Sequence, residues 1–511
     1  MKNGSAFLFY SGYIYPMPKK KAFIIGAGIA GIATAIRLAV KGYAVEVFEA
    51  NAYPGGKLSE FEKDGFRFDA GPSLLTMPQY IDELFKLAGK RPADYFSCQK
   101  LDVVCRYFYE DGSQISAYAD VDKFAAEVTK VTGEAPSSTK KFAANSRSIY
   151  HITHHVFLER SLHRLKTYLS WATIRSVFRL RQIDASRTMH KANTSFFKDK
   201  RMVQFFDRYA TYNGSDPYQA PATLNVILHI EQHFGAYFPD GGMYSIVGSL
   251  VKLAESLGVK FHCNTLVEEI VLEKSNGRLK AKGIKVKGEL LLADIIISNM
   301  DVWFTYHKLL KDHPRLYPKK ILQQERSSSA LIFYWGINKQ LPQLHLHNIF
   351  FSADYEAEFA HIWQQKSIYH DPTVYVNISS KHKPDDAPTG CENWFVMINV
   401  PANTVQDWDK LIYDARQNIL NKLSKNLGED IGKLIISETI LDPRGIESKT
   451  LSYQGSIYGT SSNSRFAAFL RHANRSSKIG DLYFCGGSVH PGGGIPLCLL
   501  SAKIVSEWIS A

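Results

Sequence analysis

The chain is poor in cysteine. Cys98, Cys105, Cys263, Cys391, Cys485 and Cys498 are scattered over 511 residues without a C-x-x-C pair or metal-ligand spacing, so neither a disulfide framework nor a metal centre is expected, and a reducing cytoplasm suits such thiols. Uninterrupted apolar runs of the ~18 to 20 residues that a spanning helix requires are also missing, which predicts a soluble or peripheral protein. Residues 1–18 lack the basic start and long apolar centre of a signal peptide, and Met17 directly precedes the basic lead into the first strand. They read as a frayed extension or a misassigned start. No Ser-His-Asp arrangement and no paired-carboxylate motif stands out, so side-chain nucleophiles do not define the chemistry. Acidic excess is absent as well. The net charge is +12, which favours an anionic partner, although solvated surface lysines account for most such excesses and charge alone does not choose between nucleic acid and lipid.

What the chain does have is glycine in a telling place. Ala22 to Ile25 is a short apolar run suited to a buried parallel strand, and Gly26, Gly28 and Gly31 follow it as G-x-G-x-x-G at the start of a helical stretch that includes Ala30. Gly26 allows the tight turn, Gly28 lets backbone N–H groups approach a pyrophosphate, and Gly31 lets helix and strand pack closely. A second strand, Ala44 to Phe48, ends at Glu49, where a ribose hydroxyl needs an acceptor. Strand, glycines, helix, second strand and terminal acid in this order predict a dinucleotide site. An acid at that position argues against a 2′-phosphate, and a single fingerprint argues against a second, nicotinamide dinucleotide as reductant.

The same pattern recurs in pieces. Gly55-Gly56-Lys57 and Asp69-Ala70-Gly71-Pro72 are loops separated by strand-like alternation, and their glycines are candidates to line the phosphate path. Residues 20–120, 233–301 and 441–511 carry the strand and glycine signals and are expected to form one α/β, Rossmann-type cofactor domain built from three segments. Residues 121–232 read as helical and basic, and 302–440 as a strand-rich substrate domain with ALIFYWGI and NWFVMINV as its clearest strands. A ligand cleft is expected between the cofactor domain and these insertions. No internal repeat is visible.

The C-terminal run Leu482 to Pro496, LYFCGGSVHPGGGIP, resembles the signature of bacterial phytoene desaturases, and the chain is identified by resemblance as a member of the carotenoid desaturase family, whose fold is similar to that of the amine oxidases. RYATYNGSDPYQAPATL and HPGGGIPLCLLSAK look closer to the subgroup that introduces a 3,4 double bond into 1-hydroxylated carotenoids than to phytoene desaturases proper. The resemblance implies FAD, a carotenoid substrate, no nucleic acid, hydride transfer to the flavin with loss of a neighbouring proton, and reoxidation by oxygen or a membrane acceptor. Implied cofactor residues are Gly26, Gly28, Ala30, Gly31, Glu49, Gly55, Gly56, Lys57, Gly71, Val267, Gly486, Gly487, Gly494, Ile495 and Pro496. One departure is Gly486-Gly487, where many such flavoproteins have Gly-Asp, so backbone contacts must replace that carboxylate. A phytoene desaturase, a non-catalytic carotenoid or lipid carrier retaining FAD, and a flavin amine oxidase remain alternatives.

Few catalytic side chains are expected when a cofactor supplies the oxidising power. His490 reads either as a proton relay or as a hydrogen-bonding anchor, and Arg208, Tyr209, Tyr212 and Asn213 either meet the substrate's polar end or form a buried network. In residues 154–181, Leu158, Leu162, Leu165, Leu169 and Ala172 recur at helical spacing with Arg160, Arg164, Lys166 and Arg175 among the polar positions. Such a segment docks on anionic lipid at the inner face of the membrane, or packs its leucines on the core.

Overall fold

The computed structural model describes residues 7–10, 13–16, 19–168 and 179–510. Five short apolar segments pair as a parallel sheet: β1 (Lys21–Ile25), β2 (Ala44–Phe48), β3 (Lys260–His262), β4 (Ile295–Ser298) and β5 (Leu482–Phe484), in the order β3-β2-β1-β4-β5. Alternation along each strand sends its side chains to opposite faces. Ala22, Ile24, Val45, Val47 and Ile297 face a helical layer, and Phe23, Ile25, Phe48, Ile296 and Phe484 face the strand pair Val267–Ser275 and Arg278–Val286.

The helical layer consists of α1 (Ile29–Val40), α2 (Ser245–Ser256) and α3 (Ile495–Trp508). Helix α1 is apolar on nearly every face because it is enclosed by the sheet, α2 and α3. Truncating Ile24 or Ile32, both fully buried, would cost about 2 to 5 kcal/mol.

A second, seven-stranded sheet takes the order 114–118, 103–108, 347–350, 374–377, 392–400, 329–337, 435–441, and is antiparallel except where Val103–Phe108 runs beside His347–Phe350. Strand Ser329–Ile337 is buried at every position, which explains why it reads as an unbroken apolar run. Helices Val121–Thr132, Pro136–Thr153, Met189–Phe196 and Lys200–Asp207 pack against the outer part of this sheet through Phe124, Phe142, Phe205 and Phe206.

Residues 154–181 do not form one continuous helix. The chain makes a wide turn over His154–Leu158 and resumes helical structure only at Leu165–Tyr168. Between them His163 N–H donates to Ser161 Oγ, and the hydroxyls of Thr167 and Tyr168 donate to the carbonyls of Ser161 and Leu162, so local side-chain bonds compete with the helical ladder. Leu158 packs on the core beneath α1–α3, Leu162 is buried, and Arg164 donates to the Glu507 carbonyl at 2.8 Å with its guanidinium 3.9 Å over the Trp508 ring. These positions face the protein. Leu169, Ala172 and Arg175 lie outside the described residues.

Candidate cofactor and substrate site

The turn after β1 is held by Gly26 N–H donating to the Phe48 carbonyl at 2.7 Å. Helix α1 then begins at Gly28 with no side-chain cap and no acidic residue in its first turn. Its free N–H groups therefore open toward the neighbouring cavity as a site for an anion. Gly31 does a different job: a Cβ there would lie 2.3 Å from the Gly26 carbonyl oxygen and 2.9 Å from Asn299 Oδ1. The position is a close contact of helix with strand and is not on the cavity wall.

Glu49 closes β2 with a buried carboxylate. Its Oε2 accepts from Ala27 N at 2.7 Å and its Oε1 from Asn51 N at 2.9 Å, which leaves lone pairs on both oxygens for a ribose hydroxyl. Asn299, just past β4, was not singled out from the sequence. Its side chain sits against Gly28 and Gly486 at once, and its Nδ2 donates to the Cys485 carbonyl at 3.1 Å. The signal available for it was the end of the apolar strand preceding it.

A second uncapped helix start lies at the other side of the same cavity. Helix α3 begins after Gly494 with Pro496 in its first turn, no side-chain cap and no acidic residue there. Between the two helix starts, Lys57 is deeply placed, donating from Nζ to the carbonyls of Ser456 and Ile457, both at 3.1 Å. Burial pulls its pKa below the usual lysine value, with Asp301 opposing the shift. Gly71 presses on this loop: a Cβ would lie 1.8 Å from the Lys57 carbonyl oxygen.

One cavity of about 1190 Å³ connects these parts. Gly26, Gly28, Ala30, Glu49, Gly55, Gly56, Lys57, Gly71, Val267, Gly486, Gly487, Gly494, Ile495 and Pro496 all line it. Two uncapped helix N-termini, backbone passages that tolerate no Cβ and an acid with free lone pairs fit a flavin dinucleotide. Its pyrophosphate would lie at α1 and its electron-rich ring edge at α3.

The cavity floor is the seven-stranded sheet. Six adjacent strands contribute, with alternate residues on one face: Cys105, then His347 and Ile349, Tyr375, Phe395 and Met397, Ile332 and Tyr334, and Leu441. At ~4.8 Å per strand the floor spans about 24 Å. Lys63 and Ile440, both exposed, mark its open end. Arg208 and Tyr212 stand at the other end.

There Tyr209 donates to Glu231 Oε1 at 2.6 Å and Tyr212 to Oε2 at 2.5 Å, while Arg208 Nη2 stands 4.0 Å from the same carboxylate and its guanidinium lies about 5 Å from the ring centres of Tyr107, Tyr209 and Tyr212. Burial, then Glu231, holds both tyrosine hydroxyls well above the usual phenol range. Tyr209 belongs to the network behind the wall and Asn213 is also off it, whereas Arg208 and Tyr212 belong to both network and wall. His490 is elsewhere: buried outside the lining, its Nε2 is 2.9 Å from the Arg160 carbonyl oxygen, and burial pulls its pKa down to about 4.

The family model described as flavin containing amine oxidoreductase matches residues 29–509. A 1-hydroxycarotenoid 3,4-desaturase of Flavobacterium sp. (strain P99-3) is 49% identical over 490 residues, covering 96% of this chain and 99% of that protein. A 4,4'-diapolycopene oxygenase of Methylomonas sp. is 35% identical over 498 residues, covering 96% and 98%. Among solved structures, an oxidoreductase from Methanosarcina mazei superposes with a TM-score of 0.63 at 16% identity, over 95% of this chain and 100% of that one. The dinucleotide turn, the two open helix starts and a match running from α1 to the end of α3 lead to one assignment: the chain belongs to the flavin containing amine oxidoreductase family.

Proposed function

We propose that the chain is an FAD-dependent carotenoid desaturase that introduces a C3–C4 double bond into a 1-hydroxylated carotenoid. The observation that carries this reading is the single cavity joining a dinucleotide cradle to a floor about 24 Å long, which suits an extended apolar chain. The identity to a 1-hydroxycarotenoid 3,4-desaturase over nearly the whole chain supports the choice of substrate.

An unactivated C–H bond offers no acidic proton, so FAD, when bound, supplies the hydride acceptor. The protein's own work is placement and exclusion of water. Ile332, Ile349, Phe395 and Met397 give the chain a dry floor, and the loop Ala70–Ser73 is fixed over it by Tyr334 Oη donating to the Ala70 carbonyl at 3.1 Å and by the 2.7 Å bond between Ser73 Oγ and Tyr375 Oη. Cofactor contacts fall to the fourteen lining positions named above. His490 serves as an anchor, because its ring bonds a backbone carbonyl and does not reach the cavity. We also place strands Val103–Phe108 and Gln114–Tyr118 with the substrate region, since they continue its sheet.

Among the described residues no helix is long and apolar enough to cross a membrane. Phe466, Phe469 and Leu470 are exposed together beside Arg465, and Phe157 packs edge-on to Phe469. This patch, not Leu158 or Leu162, is the surface we assign to an anionic membrane face. Vesicle flotation should fall when Phe466 and Phe469 are both changed to Ser.

Anaerobic mixing of the FAD-loaded protein with a 1-hydroxylated acyclic carotenoid should bleach the oxidised flavin and yield a pigment with a longer chromophore. Bleaching by phytoene alone would move the protein to the phytoene desaturases. Bleaching by neither would leave a carrier.

A further inference from the structure

The closed end of the cavity holds hydrogen-bond donors with nothing to bond. His347 Nδ1 lies 2.7 Å from Tyr375 Oη and 3.2 Å from Asn377 Nδ2. Asn377 Nδ2 also donates to the Leu346 carbonyl at 3.1 Å, which identifies it as the amide nitrogen. Nδ1 therefore accepts, and the ring proton sits on Nε2. That Nε2 is buried and has no hydrogen-bond partner among the described residues, and the same holds for Arg208 Nε and Nη2. His347 and Arg208 both belong to the cavity wall. Three unmatched buried donors on one cavity wall, with the Arg208 charge acting on His347, are costly in an otherwise well-paired interior, and a ligand that brings an acceptor removes that cost.

The kind of acceptor follows from the charges. Arg208 already faces the Glu231 carboxylate at 4.0 Å, so the corner is close to neutral and suits a neutral oxygen better than a carboxylate. Its position in the sheet matters equally. His347 lies one strand beyond Tyr375, and Tyr375 holds Ser73, two residues after Gly71 in the loop that presses on Lys57. His347 Nδ1 and Ser73 Oγ each lie 2.7 Å from the same Tyr375 hydroxyl, so the corner is joined to the loop over the cofactor cradle through one shared group. In the proposed substrate the hydroxyl carbon is two bonds from C3.

We propose that His347 Nε2 and the Arg208 guanidinium receive the terminal oxygen of the substrate, selecting oxygenated chains over the corresponding hydrocarbon and setting which carbons lie at the flavin. The proposal rests on the desaturase reading above and adds the specificity-determining residues. Chains enter oxygen-first, with the hydrocarbon tail laid across the floor toward Ile440. Tyr375 and Asn377 are positioning residues that fix the His347 tautomer.

The test uses the full-length, FAD-loaded protein and measures anaerobic flavin bleaching with a 1-hydroxylated carotenoid and with the same carotenoid lacking the hydroxyl, both in mixed micelles. Wild type should favour the hydroxylated compound by about 10-fold or more in the second-order rate constant of flavin reduction. His347→Leu should lose most of that preference through the hydroxylated substrate alone, and His347→Gln, which keeps an N–H donor, should retain it within about 3-fold. Flavin absorbance at equal protein concentration reports whether each variant is folded. Equal rates for the two substrates in wild type, or an equal fall for both in His347→Leu, would overturn the proposal. Should His347→Leu not hold FAD, the wild-type ratio and His347→Gln decide alone. Bleaching by neither substrate in wild type would sink the desaturase reading itself, and this proposal with it.

Discussion

The two ends of the cavity are built by opposite means. At the cofactor end the wall is backbone: Gly26, Gly28, Gly55, Gly56, Gly486, Gly487 and Gly494, with the open N-termini of α1 and α3. At the substrate end it is side chains, with Arg208, Tyr212, His347 and Tyr375 brought from three separate stretches of sequence. A backbone wall offers fixed N–H dipoles and close approach, which suits an invariant cofactor. A side-chain wall can be altered one residue at a time, which suits a substrate that differs among relatives.

The cofactor end should break most completely. Gly31→Val places atoms where even a Cβ lies 2.3 Å from the Gly26 carbonyl oxygen, and we expect no FAD to be retained and insoluble or unfolded protein, read from the flavin-to-protein absorbance ratio. Retention of FAD would mean that α1 can shift relative to β1.

The buried histidines come next and affect both ends. Burial lowers His490, His472 and His229 to about 4 and His347 to about 3. Their folded pKa values lie below the ordinary 6.5, so the unfolded chain binds protons first and stability is full above pH ~6.5. It is then lost progressively as pH falls toward 4, by on the order of 3 kcal/mol for a fully buried ring such as His490. Urea midpoints measured from pH 7.5 to 4.5 should fall steeply; a flat profile would show that these rings are solvated.

Glu49→Gln keeps the shape of the carboxylate while weakening its bonds to Ala27 N and Asn51 N and to a ribose. A charged acceptor contributes about 1.5 to 3 kcal/mol, so FAD titration should show roughly 10- to 100-fold weaker binding. Tyr209→Phe probes the other end, removing one 2.6 Å bond to Glu231 from behind the wall. We expect a loss of about 1 to 2 kcal/mol of stability with FAD affinity unchanged. A change in FAD affinity would mean that the two ends are coupled.

The same contrast decides how much could be read in advance. A site made of backbone leaves its mark as glycine at fixed spacing, and Gly26, Gly28, Glu49, Gly486, Gly487, Gly493 and Gly494 sit in the cavity wall, whereas Gly31 and Gly492 do not. A site made of side chains leaves no local pattern. His347, Tyr375 and Ser73 meet only because His347–Phe350 and Val374–Asn377 run side by side in a sheet whose order no short motif encodes. Arg208 and Tyr212 were legible as unusual residues but not as partners of Glu231. Over 154–168 leucine spacing describes a helix, whereas the bonds made by Ser161, Thr167 and Tyr168 accompany its interruption, and Leu158 and Leu162 take the core-packing alternative that the spacing left open.

The strand order of the parallel sheet also has a consequence for how the protein matures. Strand β1, which carries the dinucleotide turn, lies at the start of the sheet's sequence, while β5 and α3, which complete the cradle, come almost at its end. During synthesis at ~5 to 20 residues per second the N-terminal half of the cradle therefore waits for tens of seconds with one flank open. Cofactor loading becomes a late event that follows synthesis of the C-terminal segment, and the rate of that synthesis sets how long an apolar, half-built sheet stays exposed.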